Sequence, residues 1–123
     1  KFNDTFGHLF GDKVLKSIAE LVNSSLRSID TMARFGGEEF IIMFPRTRLH
    51  KAYEKVERLR KTIEKTYIKD ELVTASVTVS FGIACFPDTS INENDLLSKA
   101  DDALYKAKEA GRNCVKIADE ICG

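Results

Sequence analysis

Two glycines followed by two carboxylates, Gly36-Gly37-Glu38-Glu39, form the most pointed chemical signal in the sequence. The glycines let a backbone come close to a ligand, and adjacent carboxylates offer the hard oxygen donors that Mg²⁺ or Mn²⁺ takes. The same four residues suit an ordinary solvated turn, and their types alone leave both readings open. Gly7-His8-Leu9-Phe10-Gly11-Asp12 is a second such place. A glycine-punctuated loop opening a helix presents backbone N–H groups to an anion, yet Asp12 is also a strong helix cap. His8 stands without the partners a ligand or base needs and reads as loop packing. Further along, Lys108 and Arg112 lie four residues apart around a helix stop. The helix dipole already favours a cation there, and two cations reaching the same way also suit a triphosphate.

The elements that must position these residues follow from apolar spacing. Val14, Leu15, Ile18, Leu21, Val22 and Leu26 recur at helical intervals, so a helix starts around Asp12 and ends near Ser28. Thr31 to Phe35 and Phe40 to Phe44 are short apolar runs joined by the glycine-carboxylate turn, a β-hairpin closed by Pro45. A second helix spans roughly Leu49 to Tyr67, with Ala52, Val56, Leu59 and Ile63 inward. Val73 to Phe86 alternates as a half-buried strand in which Gly82 marks a bulge or a close backbone approach. Asp95 to Ala110 is a third helix with Leu97, Ala100, Leu104 and Ala107 inward and Gly111 at its stop. Cys114 to Ile117 is a last short strand. This order predicts an α+β or α/β sandwich with helices packed on a largely antiparallel sheet.

Composition narrows the classes. The 123 residues suit one domain, and 43% hydrophobic with 31% charged residues supply both a core and a solvated surface. The longest apolar run, Phe40 to Phe44, is far too short to cross a bilayer. Nineteen basic residues balance nineteen acidic ones, which argues against a grip on long nucleic acid. The balance is not uniform: between Arg46 and Lys69 nine basic residues face three acidic ones, the pattern of a solvated helix face. Cys85, Cys114 and Cys122 show no metal-binding spacing and read as reduced, so a cytoplasmic domain is expected. The chain opens on Lys1-Phe2-Asn3 without an initiator methionine or a leader, and we expect it to be a piece of a longer polypeptide.

Six motifs taken in order carry a resemblance. They are Asn3-Asp4, Gly7-His8-x-x-Gly11-Asp12, Arg27-x-x-Asp30, Gly36-Gly37-Glu38-Glu39-Phe40, Ser80-Phe81-Gly82-Ile83-Ala84 and the stretch from Ala100-Asp101 to Gly111-Arg112-Asn113. Together they resemble the GGDEF domain, the catalytic domain of bacterial diguanylate cyclases. The likeness runs from Phe2 to about Ile117, so residues 1–117 read as the domain and 118–123 as a C-terminal tail. It implies an α+β sandwich of the nucleotidyl cyclase and polymerase palm type (ferredoxin-like), with helices around a central antiparallel sheet. It also implies condensation of two GTP into cyclic di-GMP with release of pyrophosphate by a homodimer using Mg²⁺ or Mn²⁺. By position, Asn3 and Asp12 would read guanine, and Gly36 and Gly37 would make room for the nucleotide. Glu38 would bind metal, Glu39 would bind metal or take the proton of the attacking hydroxyl, and Lys108 and Arg112 would hold the β- and γ-phosphates. Arg27 and Asp30 fall where many members bind cyclic di-GMP as an inhibitor, with Arg58 as a further contact.

The resemblance carries further expectations. The family's first strand, which bears a metal-binding aspartate, would precede Phe2; without it the 123 residues by themselves are expected to be impaired in catalysis. A sensory or receiver domain is expected upstream. Two rival readings stand beside the cyclase: a non-catalytic cyclic di-GMP receptor using Arg27 and Asp30, and a domain that only mediates dimer contact. Members that serve as receptors commonly lose the acidic turn, which is intact here.

Overall fold

The computed structural model describes residues 8–35, 39–69 and 74–119. The chain divides into two compact units, one holding the chain to Pro45 together with Thr66–Ser76, the other Arg46–Lys65 and the chain from Val77 onward.

In the first unit, helix α1 (His8–Ser24) forms on a buried stripe of Val14, Ile18 and Val22. The helix is already under way at His8, so Asp12 stands in its second turn, exposed, and does not cap it. It also ends earlier than the apolar spacing suggested. The hydroxyls of Ser24 and Ser25 both donate to the Leu21 carbonyl, at 2.8 and 2.9 Å, the local competition that makes serine a poor continuation of a helix. Strands β1 (Thr31–Phe35) and β2 (Glu39–Met43) pair antiparallel with Thr31 opposite Met43 and Phe35 opposite Glu39, the expected hairpin. A second antiparallel pair, β3 (Tyr67–Lys69) and β4 (Thr74–Ser76), places Tyr67 opposite Ser76.

The second unit opens with helix α2 (Leu49–Glu64), whose Ala52, Val56, Leu59 and Ile63 are all buried. It stops before Tyr67. Tyr67 and Ile68 are strand formers, and Ile68 is buried between exposed neighbours in β3. Strand β5 (Phe81–Ile83) pairs parallel with β6 (Val115–Ile117), Phe81 opposite Val115 and Ile83 opposite Ile117. A parallel pair needs a crossover, and helix α3 (Leu96–Glu109), entered through a 3₁₀ turn at Glu93–Asp95, supplies it. Both α2 and α3 pack on this pair.

The class is therefore mixed α/β, with two differences from the sequence-based expectation. Among the described residues the strands form three two-stranded ladders rather than one continuous sheet, and one of the three is parallel. The long strand from Val73 to Phe86 divides into β4 and β5, with 77–80 outside any ladder. The buried face of α3 also shifts. Ala103 and Ala107 are fully buried while Leu97 is 47% exposed. No described helix is long and apolar enough to cross a membrane. Cys85 and Cys114 are free thiols, half-buried, and burial pushes the Cys85 thiol up from its ordinary value.

Candidate functional site

Arg27 and Asp30 lie in the loop between α1 and β1. The Asp30 carboxylate turns back on its own chain: it accepts the Arg27 backbone N–H at 2.8 Å, Nη2 at 2.8 Å and Nε at 3.2 Å. The Asp30 backbone N–H donates to the Arg27 carbonyl at 3.0 Å, closing the turn from the other side. Arg27 Nη2 also donates to the Pro45 carbonyl at 3.0 Å. These bonds to the carboxylate push the guanidinium above its ordinary value. The side chains differ sharply in exposure, 41% for Arg27 and 1% for Asp30. Arg27 is thus presented to solvent, and Asp30 lies beneath it as its holder.

Lys108 and Arg112 are placed by the end of α3. The helix closes in a left-handed turn: Gly111 N–H donates to the Lys108 carbonyl at 3.3 Å and Arg112 N–H to the Ala107 carbonyl at 3.0 Å. Gly111 has φ 108°, Arg112 64° and Asn113 49°, three left-handed residues in a row. Glycine adopts that conformation without strain, whereas arginine does so at a cost. Lys108 sits half-buried in the last helical turn, where the dipole favours a cation, and Arg112 is exposed beyond the stop. The structure brings these two onto one turn.

The remaining predicted residues are placed one by one. Glu39 opens β2, half-buried, directly opposite Phe35 across the hairpin. Asp12 is exposed on α1. Arg58 is exposed on α2. Asn3, Gly36, Gly37 and Glu38 lie outside the described residues, as does Cys122. Asp12, Arg27, Asp30 and Glu39 belong to the first unit; Arg58, Lys108 and Arg112 belong to the second. An open depression of about 1100 Å³ in the second unit, lined among others by Arg46, Arg48, His50, Tyr53 and Phe86, holds none of them.

One cluster escaped the sequence reading. Arg60 on α2 grips Glu57 with both arms of its fork, Nε to Oε1 at 2.8 Å and Nη2 to Oε2 at 2.7 Å. Its Nη1 donates to the Asn113 side-chain oxygen at 2.8 Å. The Asn113 amide donates in turn to Glu64 at 2.8 Å, and its backbone N–H donates to the Ser80 hydroxyl at 3.1 Å. The bidentate bond to Arg60 holds the Glu57 carboxyl below the usual carboxylate range, and Glu57 raises Arg60 in return. Glu57 and Arg60 at i, i+3 are legible as a helical pair. The partnership of Arg60 with a residue 53 positions away is not.

Gly82 explains another motif. A side chain there would run into the backbone of α3, at Leu104 N and Ala100 O, with Leu104 Cα only 2.8 Å away. Of the two roles open to this glycine, the close approach of a helix is the one it performs.

The first unit thus carries an acidic residue at a hairpin end, and the second carries two cations around one helix terminus. Comparison with known proteins defines the family. Residues 1–114 match the family described as diguanylate cyclase, GGDEF domain. Diguanylate cyclase A of Treponema denticola is 39% identical over 116 residues, covering 94% of this chain and 31% of that protein. Among solved structures, the active GGEEF domain of a diguanylate cyclase from Vibrio cholerae superposes with a TM-score of 0.86 at 31% identity, covering 97% of this chain and 75% of the other. The GGDEF domain of DgcB from Caulobacter crescentus, in complex with c-di-GMP, gives 0.85 at 32%, covering 94% and 69%. The chain belongs to the GGDEF diguanylate cyclase family, and it spans about a third of the length of its Treponema relative.

Proposed function

We propose that this chain is the catalytic domain of a diguanylate cyclase, condensing two GTP into cyclic di-GMP and releasing two pyrophosphates. The observation that carries the reading is the family match over residues 1–114, with an acidic residue, Glu39, at the hairpin end where the family's acidic motif falls. Two copies face each other, each holding one GTP, and each 3′-hydroxyl attacks the α-phosphate of the other nucleotide. A new P–O bond forms at each α-phosphorus as the bond to the β-phosphate breaks. Alignment of the two substrates is most of the task.

In this reading Asn3 and Asp12 recognise guanine. A carboxylate accepts from the N1–H and N2–H₂ donors that adenine does not present together, and leaving it unpaired disfavours ATP. The exposure of Asp12 on α1, freed from any capping duty, supports that role. Lys108 and Arg112 hold the β- and γ-phosphates, and Gly36 and Gly37 leave room for the nucleotide. Glu38 binds Mg²⁺ or Mn²⁺, and Glu39 either helps to bind the metal or accepts the proton of the attacking hydroxyl. Among the described residues no three acidic, histidine or cysteine side chains gather into a metal cluster. The carboxylates of Glu38 and Glu39 are hard oxygen donors of the kind Mg²⁺ takes one or two of, its shell completed by water and substrate phosphates. When bound, the ion supplies positive charge that stabilises the phosphoryl oxygens.

The strand ladders are read as parts of a palm-like fold with a central antiparallel sheet, residues 1–117 forming the domain and 118–123 a tail. A cytoplasmic location and an upstream sensory or receiver domain complete the proposal; the length of the Treponema relative leaves room for one.

A second reading rests on the loop after α1. Arg27 is exposed and held by Asp30 through Nε and Nη2; by exchanging those bonds its fork grips the O6/N7 edge of guanine. Cyclic di-GMP bound there, with Arg58 as a further contact, inhibits the enzyme; a protein using this site alone is a receptor. One experiment separates the two. The intact protein with GTP and Mg²⁺ is expected to make cyclic di-GMP, and Glu39→Ala to lower the rate roughly 10²-fold or more. Binding of cyclic di-GMP with no synthesis by either protein assigns it to the receptor class.

A further inference from the structure

The turn that follows α3 is held from outside the helix. Gly111, Arg112 and Asn113 are all left-handed, and only the first is a glycine. Non-glycine residues keep such a conformation when their surroundings over-determine it. Here the surroundings converge on Asn113. Its side-chain oxygen accepts from Arg60, its amide donates to Glu64, and its backbone N–H donates to Ser80. Arg60 is itself locked by the two-pronged bond to Glu57 and is only 12% exposed. This chain of bonds ties α2, the residue before β5 and the end of α3 together at one point.

The residue next to that point is Arg112. Among the described residues its guanidinium has no hydrogen-bond or ion-pair partner, so its backbone alone sets the volume its side chain can sweep. A flexible side chain loses less freedom on binding when its root is already fixed. We infer that Asn113, clamped by Arg60 and Glu64, is a positioning residue that aims Arg112 at the terminal phosphates of the nucleotide. The inference rests on Arg112 being a phosphate holder, as proposed above. Arg60 and Asn113 touch no substrate; they act through the turn.

The test compares two ligands that share guanosine but differ in phosphates: the α,β-methylene analogue of GTP, which cannot be turned over, and GMP. Binding of each to the full chain is measured by calorimetry with Mg²⁺. Asn113→Gly deletes the side-chain bonds while leaving the left-handed backbone open. It is expected to weaken the analogue about tenfold and GMP hardly at all, as the loss of hydrogen bonds that act only through Arg112 requires. Arg112→Ala is expected to do the same, and the double variant to be no weaker than Arg112→Ala alone. Glu64→Ala, at a side chain 41% exposed and so tolerant of change, should give a smaller selective loss, about threefold. If Arg112→Ala selectively weakens the analogue but Asn113→Gly and Glu64→Ala leave the ratio of the two affinities unchanged, the positioning role is wrong and the phosphate reading stands. If Arg112→Ala itself leaves the ratio unchanged, the phosphate reading falls and the positioning role falls with it.

Discussion

Asp30 and Arg27 differ in what their placement leaves open to a ligand. A guanine reader needs an exposed acceptor, yet the Asp30 side chain is 1% exposed and its carboxylate accepts from the Arg27 backbone and guanidinium. In the proposed inhibitory site, recognition in this conformation would rest on Arg27, and Asp30 would reach the N1–H and N2–H₂ of guanine only by releasing it. Arg27→Ala is therefore expected to weaken cyclic di-GMP binding about ten- to hundredfold by calorimetry, the worth of one bidentate contact. Unchanged affinity would remove the inhibitory site. Glu57 makes a prediction of a different kind. Its carboxyl titrates lower in the folded chain than in the unfolded one, because Arg60 stabilises the charged form. The pair's contribution to stability is thus complete above the ordinary glutamate range and disappears as pH falls through the lowered folded value. Urea titrations of the wild type and Glu57→Gln should differ most at neutral pH and converge toward pH 3; a constant gap would mean packing, not charge, accounts for the difference.

Among the elements, α2 was the most legible. Its four predicted core residues, Ala52, Val56, Leu59 and Ile63, are the four that are buried. The reason is that its apolar stripe carries all its burial. Helix α3 was read only in part. Of its four expected inward residues Ala107 is buried, Ala100 and Leu104 are half-buried and Leu97 is exposed. Ala103, not expected, is buried, because the helix seats small residues rather than Leu97 against the strands. Gly82 is the complement of that choice, since strand and helix backbones meet where neither brings a side chain. Gly82→Ala should accordingly destabilise the chain by about 3 kcal/mol, the upper range for forcing an extra methyl into a packed site, as read from chemical denaturation. A loss within about 0.5 kcal/mol, as at an uninvolved surface site, would show that α3 can shift. Alternation from Val73 to Phe86 anticipated the strands Thr74–Ser76 and Phe81–Ile83, but periodicity reports which side faces inward and not which strand lies alongside. That is why the break between β4 and β5, and the parallel pairing of β5 with β6, were not legible. The Arg60–Asn113 bond was hidden for the same reason.

At the scale of the whole molecule, the proposed chemistry sets a condition on assembly. Cyclic di-GMP contains two equivalent phosphodiester links, each made by the attack of one nucleotide on the other. A two-fold product made by one domain per nucleotide calls for a two-fold assembly. Product formation per protein molecule should therefore rise with protein concentration until the dimer is saturated, then level off. Mixing sharpens the argument. With a large excess of Glu39→Ala, most active chains sit in mixed dimers, where one hydroxyl is activated and the other is not. A single attack joins the two nucleotides once and releases one pyrophosphate, leaving a linear dinucleotide that still bears a 5′-triphosphate. Chromatography of the mixture should show that linear product accumulating as the cyclic one declines. A rate per molecule that stays constant on hundredfold dilution, with cyclic product undiminished by the excess variant, would mean that one chain closes both bonds and that the facing-pair arrangement is wrong.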